Sequence, residues 1–147
     1  MALEIEHKYL VKNESYKALA TSFSHISQGY LCREPKRTVR IRIKDNEGYL
    51  TIKGENSGSI REEYEYKIPY EDAERMISMC EPPVIEKTRY IVPFAGHIWE
   101  IDEFAGDRCG LVTAEVELSS RDEEYMIPDF VGENVTGNPA YYNSNLK

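Results

Sequence analysis

Charged and apolar residues alternate through stretch after stretch of this chain. Glu4, Glu6 and Lys8 take alternate positions at its start, and Arg40 and Arg42 alternate with β-branched residues further on. Because successive side chains of a β-strand point to opposite faces, each stretch predicts a strand with one charged face. Any fold of this chain must therefore give its charged and its apolar sheet faces two different environments.

Stretches of this kind, bounded by turn residues, predict eight strands: 2–11, 27–33, 38–44, 49–54, 60–68, 84–92, 97–104 and 111–119. Two helices are predicted between them, one following Asn13 or Ser15 and one running from Pro69 until Pro82 and Pro83 stop it, with a short third one near 140–146. Eight antiparallel strands favour closure, which removes exposed sheet edges. We therefore predict a mainly β (α+β) single domain over 1–147: an eight-stranded antiparallel barrel with a few flanking helices.

Composition excludes several classes of partner. The chain has 147 residues and a formal net charge of −8, which argues against non-specific binding to nucleic acid or to anionic membranes. No apolar run approaches the roughly 20 residues of a membrane span, and no secretory signal is evident. Cys32, Cys80 and Cys109 lack metal-ligand spacing. We expect reduced thiols in a cytoplasmic protein.

The charged strand faces have two interpretations. Alternation by itself is typical of a sheet with one solvated face. However, the charges come as same-sign pairs within a strand, and a closed barrel has an inside. If the apolar faces meet the helices outside, the charged faces line the lumen. The carboxylates in question are Glu4, Glu6, Glu63, Glu65, Asp102, Glu115 and Glu117, and the cations are Lys8, Arg40, Arg42, Lys53, Arg61, Lys87 and Arg89.

Such a lumen would be costly to fold if it were dry and empty. Arginine and lysine pairs match phosphate oxygens, and clustered carboxylates match Mg²⁺ or Mn²⁺, which prefer oxygen ligands. A polyphosphate bound together with divalent metal needs both kinds of group. The charge pattern therefore predicts a small-molecule polyphosphate ligand rather than a macromolecule.

The motifs resemble the CYTH, or triphosphate tunnel metalloenzyme, superfamily over nearly the whole chain. The signature Glu-x-Glu-x-Lys stands at Glu4, Glu6 and Lys8. The other matching motifs follow in order: 28–31 (QGYL), Arg40-x-Arg42, 50–54 (LTIKG), Arg61-x-Glu63-x-Glu65, 87–90 (KTRY), 99–102 (WEID), 114–118 (AEVEL) and a tail motif within 132–146. His7, Tyr9 and Phe130 depart from the family pattern, and we expect them to be packing or outward positions.

The resemblance implies an eight-stranded tunnel of the small bacterial inorganic triphosphatase type, which uses Mg²⁺ or Mn²⁺, two ions with substrate, and it is compatible with a homodimer. By the family pattern, Lys8 and Tyr30 position the attacking water. Substrate phosphates are held by Arg40, Arg42, Lys53, Arg61, Lys87 and Arg89. The metal ligands are Glu4, Glu6, Glu115 and Glu117, with Glu63, Glu65 and Asp102 contributing to a second metal or its waters.

Three other functions stay open at this point. A related site cyclises ATP in class IV adenylyl cyclases, or hydrolyses nucleotide or thiamine triphosphates. We identify no base-binding pocket in the sequence, which favours inorganic tripolyphosphate. A non-catalytic polyphosphate-binding module is the third, but loss of the glutamate cluster would be expected in that case, and the cluster is intact.

Overall fold

The computed structural model describes residues 3–146, which form nine β-strands, two α-helices and three short 3₁₀ turns. The strands are β1 (Leu3–Val11), β2 (Ser22–Cys32), β3 (Arg37–Lys44), β4 (Glu47–Gly54), β5 (Ile60–Ile68), β6 (Glu81–Phe94), β7 (His97–Phe104), β8 (Val112–Glu117) and β9 (Val131–Asn134). The helices are α1 (Tyr16–Leu19) and α2 (Tyr70–Ile77), and the 3₁₀ turns are Gly106–Arg108, Pro139–Tyr141 and Asn143–Asn145. Within this part of the chain, no helix has the length and apolar character that crossing a membrane requires.

The strands close into an antiparallel barrel in the order β5-β4-β3-β2-β6-β7-β8-β1. Closure occurs where the start of β1 pairs with β5, with Leu3 opposite Glu62 and Ile5 opposite Ile60. The predicted eight-stranded antiparallel barrel is thus confirmed. A ninth strand, β9, pairs with the later half of β1, beyond the point where β5 stops pairing with it.

The apolar faces of the strands point outward, and other segments cover large parts of them. Helix α2 packs over β2, β3 and β4. On the other side, Trp99 is fully buried in a cluster that also contains Tyr16 of α1 and Phe130. Since the apolar faces are covered on the outside, the charged faces of the same strands line the lumen, and the solvated-face interpretation is wrong.

Several predicted boundaries differ from those observed. Strand β2 begins at Ser22 rather than at 27, because backbone pairing with β6 continues as far as Ser22 opposite Ile91 although Phe23 is 70% exposed. Strand β9 was not predicted. The helix expected near 140–146 is wrong: two 3₁₀ turns stand there. Helix α2 ends at Ile77, and Pro82 and Pro83 lie in β6.

The three departures from the family pattern are packing positions, as expected. Tyr9 and Phe130 belong to the buried cluster around Trp99. His7 contacts the hydroxyl of Tyr125 through Nδ1. All three cysteines are free, also as predicted.

The packing of α2 on β4 leads to a stability prediction. A Cβ atom on Gly48 would lie 2.6 Å from the Cβ of Ala73, a fully buried residue of α2. We expect Gly48→Ala to lower the free energy of unfolding by about 1–3 kcal/mol through overpacking. Gly54→Ala in the same strand is the matched control, since its Cβ would meet no atom closer than 3.5 Å. Urea unfolding of both variants tests this, and equal stability would contradict it.

Candidate active site

The lumen encloses a cavity of about 350 Å³ with charged walls. Strand alternation brings most of the predicted site residues to its surface: Glu4, Glu6, Lys8, Tyr30, Arg40, Arg42, Lys53, Arg61, Glu63, Glu65, Arg89, Glu115 and Glu117. Lys87 and Asp102 do not reach the cavity surface, since they are 0% and 1% exposed behind it. The structure thus gathers residues from seven strands around one space.

One wall of the cavity is acidic, because β1 and β8 pair so that Glu6 lies opposite Glu117 and Lys8 opposite Glu115. Burial, followed by the charges of Glu115 and Glu4, raises the pKa of Glu6 well above its usual range. Burial and the charge of Glu4 likewise raise the pKa of Glu117. Repulsion between neighbouring carboxylates therefore adds to the effect of burial on this wall.

A salt-bridge network extends this acidic wall toward β4 and β5. Lys53 Nζ lies 2.9 Å from Glu4 Oε1 and 3.5 Å from Glu63 Oε2. Glu65 accepts a hydrogen bond from Thr51 at 3.3 Å, and its Oε1 lies 3.9 Å from Arg40 Nη2. The predicted phosphate ligand Lys53 is thus paired with predicted metal ligands. Arg61 donates to the Gly54 carbonyl at 3.2 and 3.0 Å.

The opposite wall is basic and holds three guanidinium groups. Arg40, Arg42 and Arg89 are each less than a tenth exposed. Burial, together with the charges of Arg40 and Arg89, lowers the pKa of Arg42 to about 9. Nε of Arg40 is buried and has no hydrogen-bond partner among the residues that the structure describes. Crowded cations of this kind are chemically suited to a multiply charged anion.

Asp102 lies behind this basic wall and binds one of its cations, Arg89, together with the buried Lys87. Its Oδ1 accepts from Arg89 Nε at 2.8 Å, and its Oδ2 accepts from Arg89 Nη2 at 2.9 Å and from Lys87 Nζ at 2.8 Å. Burial alone would raise the pKa of Asp102, but the charges of Arg89 and Lys87 hold this pKa well below its usual range. In this structure Asp102 orients phosphate-binding candidates. Its role as a metal ligand stays a prediction.

Lys8 connects the acidic wall to the carboxyl-terminal tail. Its Nζ donates to the carbonyl of Tyr141 at 2.8 Å and lies 3.6 Å from Glu115 Oε1. Tyr30, the other residue predicted to position water, lines the same cavity, and the guanidinium of Arg33 lies 5.1 Å above its ring. Arg33 also donates to the carbonyl of Ser144 at 2.6 Å. The tail therefore contacts Lys8 directly and contacts Arg33, which lies above the ring of Tyr30.

Sequence reasoning missed part of the cavity lining. The tail contributes Val135, Thr136, Gly137, Tyr142, Asn143 and Ser144. Glu100 also lines the cavity, and its Oε2 lies 3.5 Å from Arg89 Nη1. Glu100 precedes Asp102 by two positions, so the alternation rule that directs Asp102 inward would have identified it.

The carboxylates fit a hard divalent cation, which the fold family implies. Among residues 3–146, no three carboxylate, imidazole or thiol groups already converge as a preformed metal centre. The donor chemistry is nevertheless suitable, since Glu4, Glu6, Glu115 and Glu117 all offer oxygen ligands on the walls of one cavity. Burial, followed by the charges of neighbouring carboxylates, raises the pKa values of Glu6 and Glu117, and a bound cation would oppose both effects.

Comparison with known proteins agrees with this geometry. The CYTH domain matches residues 2–143. The chain is 46% identical to an inorganic triphosphatase of Acetivibrio thermocellus, over 99% of this chain and 94% of the relative. It is 34% identical to an inorganic triphosphatase of Nitrosomonas europaea, over 97% of this chain and 95% of the relative. The crystal structure of the inorganic triphosphatase NE1496 superposes with a TM-score of 0.68 at 32% identity, covering 99% of this chain and 94% of that one. The chain therefore belongs to the CYTH domain family.

Proposed function

We propose that this protein is a metal-dependent hydrolase of triphosphates that converts inorganic tripolyphosphate into pyrophosphate and phosphate. The observation that carries the proposal is one enclosed cavity in which a cluster of buried guanidinium groups faces a cluster of carboxylates. A tripolyphosphate chain bound with divalent metal offsets both excess charges at once. The two relatives named inorganic triphosphatase support the same conclusion.

In this proposal the basic wall binds and orients the phosphate chain. Arg40, Arg42 and Arg89 offer N–H donors to phosphate oxygens, and Asp102 holds Arg89 in place from behind. The remaining cations that contribute to this positive field are Lys53, Arg61 and Lys87. Since the transferred phosphoryl group develops charge on its oxygens, fixed cations stabilise that charge without reorganising.

The acidic wall would hold Mg²⁺ or Mn²⁺, with Glu4, Glu6, Glu115 and Glu117 as principal ligands and Glu63 and Glu65 beside them. When bound, such an ion supplies Lewis-acid stabilisation of phosphoryl oxygens. Lys8 and Tyr30 orient the attacking water. The water oxygen bonds to the terminal phosphorus, the P–O bond to the bridging oxygen breaks, pyrophosphate leaves, and the proton of water is released to solvent.

A substrate panel tests the proposal against its competitors. Purified protein is incubated with tripolyphosphate, ATP or thiamine triphosphate and with Mg²⁺ or Mn²⁺, and the products are separated by chromatography. We expect phosphate release to be fastest with tripolyphosphate. Cyclic AMP formed from ATP would instead identify a cyclase. Calorimetric binding of tripolyphosphate without any hydrolysis would identify a non-catalytic binding module.

A further inference from the structure

We propose that Gln28 is a positioning residue for Arg42: its neutral amide oxygen fixes the guanidinium and leaves the positive charge available to substrate. The inference rests on the proposed function, and it adds a residue outside the set that contacts the cavity. Gln28 does not line the cavity, whereas Arg42 does.

The contact between the two residues follows from strand pairing. Gln28 in β2 lies opposite Arg42 in β3. The Oε1 atom of Gln28 accepts from Arg42 Nε at 3.0 Å and from Arg42 Nη2 at 2.7 Å. Gln28 is 0% exposed and Arg42 is 8% exposed, so the amide of Gln28 is shielded from water while Arg42 reaches the cavity. Two hydrogen bonds to one oxygen fix one edge of the planar group and leave Nη1 unused by any acceptor within residues 3–146.

The other buried cations in or behind the basic wall each have a carboxylate beside them. The carboxylate of Asp102 pairs with both Arg89 and Lys87 and offsets charge. Arg40 donates to Thr51 and lies 3.9 Å from the carboxylate of Glu65. Across the described part of the chain, Arg42 has no carboxylate within 4.0 Å, and Asp102 acts on its charge only from further away.

A neutral acceptor at this position is not what stability favours. Buried arginine is held most strongly by a carboxylate, which accepts charge-assisted hydrogen bonds and offsets the charge. The amide instead leaves its own Nε2 buried without a partner among the described residues. Burial and the neighbouring arginines also lower the pKa of Arg42 to about 9, because the more distant Asp102 offsets its charge only in part. Binding of a phosphate anion by the positive charge of Arg42 would compensate for both costs.

Gln28→Glu tests the claim, because it keeps the size and the acceptor oxygen but adds a negative charge. We expect KM for tripolyphosphate to rise about 10- to 100-fold with a smaller change in kcat, since Arg42 then pairs with the new carboxylate instead of the substrate. Its melting temperature should be unchanged or higher. A purely structural acceptor predicts the same stability but a wild-type KM, so KM decides between the two. A wild-type KM would overturn the proposal.

Gln28→Met provides a second test, because it removes the acceptor without adding charge. A mobile guanidinium should lower kcat about tenfold. If Gln28→Glu does not fold, the kinetics of Gln28→Met test the proposal without it. Wild-type kcat and KM in Gln28→Met would overturn the claim.

Calorimetric titration with pyrophosphate in the absence of metal separates this proposal from the proposed function. Wild-type protein that binds pyrophosphate but does not hydrolyse tripolyphosphate contradicts the proposed function. In that case a weaker affinity of Gln28→Glu for pyrophosphate supports the role of Gln28, and an unchanged affinity overturns it.

Discussion

Replacing Arg40 with alanine is expected to lower turnover of tripolyphosphate by about two to three orders of magnitude, the usual cost of removing one donor that stabilises developing oxyanion charge. Arg40 lies in β3 with 7% exposure, and its Nε has no partner within the described chain. Its Nη2 donates to Thr51 at 3.1 Å, which fixes the group beside the cavity. Because Nε is buried, we expect Nη1 to be the group that donates to phosphate oxygens.

Arg37→Ala is the matched control for Arg40→Ala. Arg37 begins the same strand and is exposed, so the same side chain is removed from outside the cavity. We expect it to retain wild-type kcat and KM, measured as phosphate release under saturating metal. Circular dichroism should give a folded barrel for both variants, since the strand pairing of β3 does not depend on either side chain. Equal activity of the two variants would contradict the role of Arg40.

Replacing Glu6 with glutamine should have an effect of similar size on metal-dependent turnover. A bound divalent ion contributes several kcal/mol of charge stabilisation, and each 1.4 kcal/mol is about a factor of ten in rate. Glu6 lies opposite Glu117 on the acidic wall, with the negative charges of Glu115 and Glu4 beside it. Glutamine cannot supply the negative charge that the proposed cation site uses, and it does not repel the neighbouring carboxylates. We therefore expect activity to fall by about two to three orders of magnitude while the melting temperature does not fall.

Glu62→Gln is the control for Glu6→Gln, since Glu62 is exposed on β5, outside the cavity. Binding of Mn²⁺, followed by electron paramagnetic resonance, gives a readout independent of activity. We expect weaker Mn²⁺ binding in Glu6→Gln and wild-type binding in Glu62→Gln. Unchanged Mn²⁺ affinity in Glu6→Gln would contradict its assignment as a ligand.

Strand alternation makes the barrel and most of its lining predictable. Residues two positions apart share a face, so Glu4 with Glu6, and Arg40 with Arg42, are assigned to one environment by their spacing alone. The same rule applied one step further would have added Glu100.

Other parts of the site had no signal of this kind. Gln28 is a single neutral residue whose meaning depends on the register that places it opposite Arg42, and register is a long-range property. The tail is held through the backbone carbonyls of Tyr141 and Ser144, which no side-chain pattern encodes. Strand β9 forms because the later half of β1 has an open edge once β5 stops pairing with it.

We expect the charged lumen to hydrolyse tripolyphosphate only when a divalent metal is present. Phosphorus-31 NMR of wild-type protein with tripolyphosphate measures this directly. We predict pyrophosphate and phosphate in equal amounts with Mg²⁺ or Mn²⁺, and no turnover once excess chelator is added. A protein that is idle on tripolyphosphate with both metals, or equally active in chelator, would contradict the account.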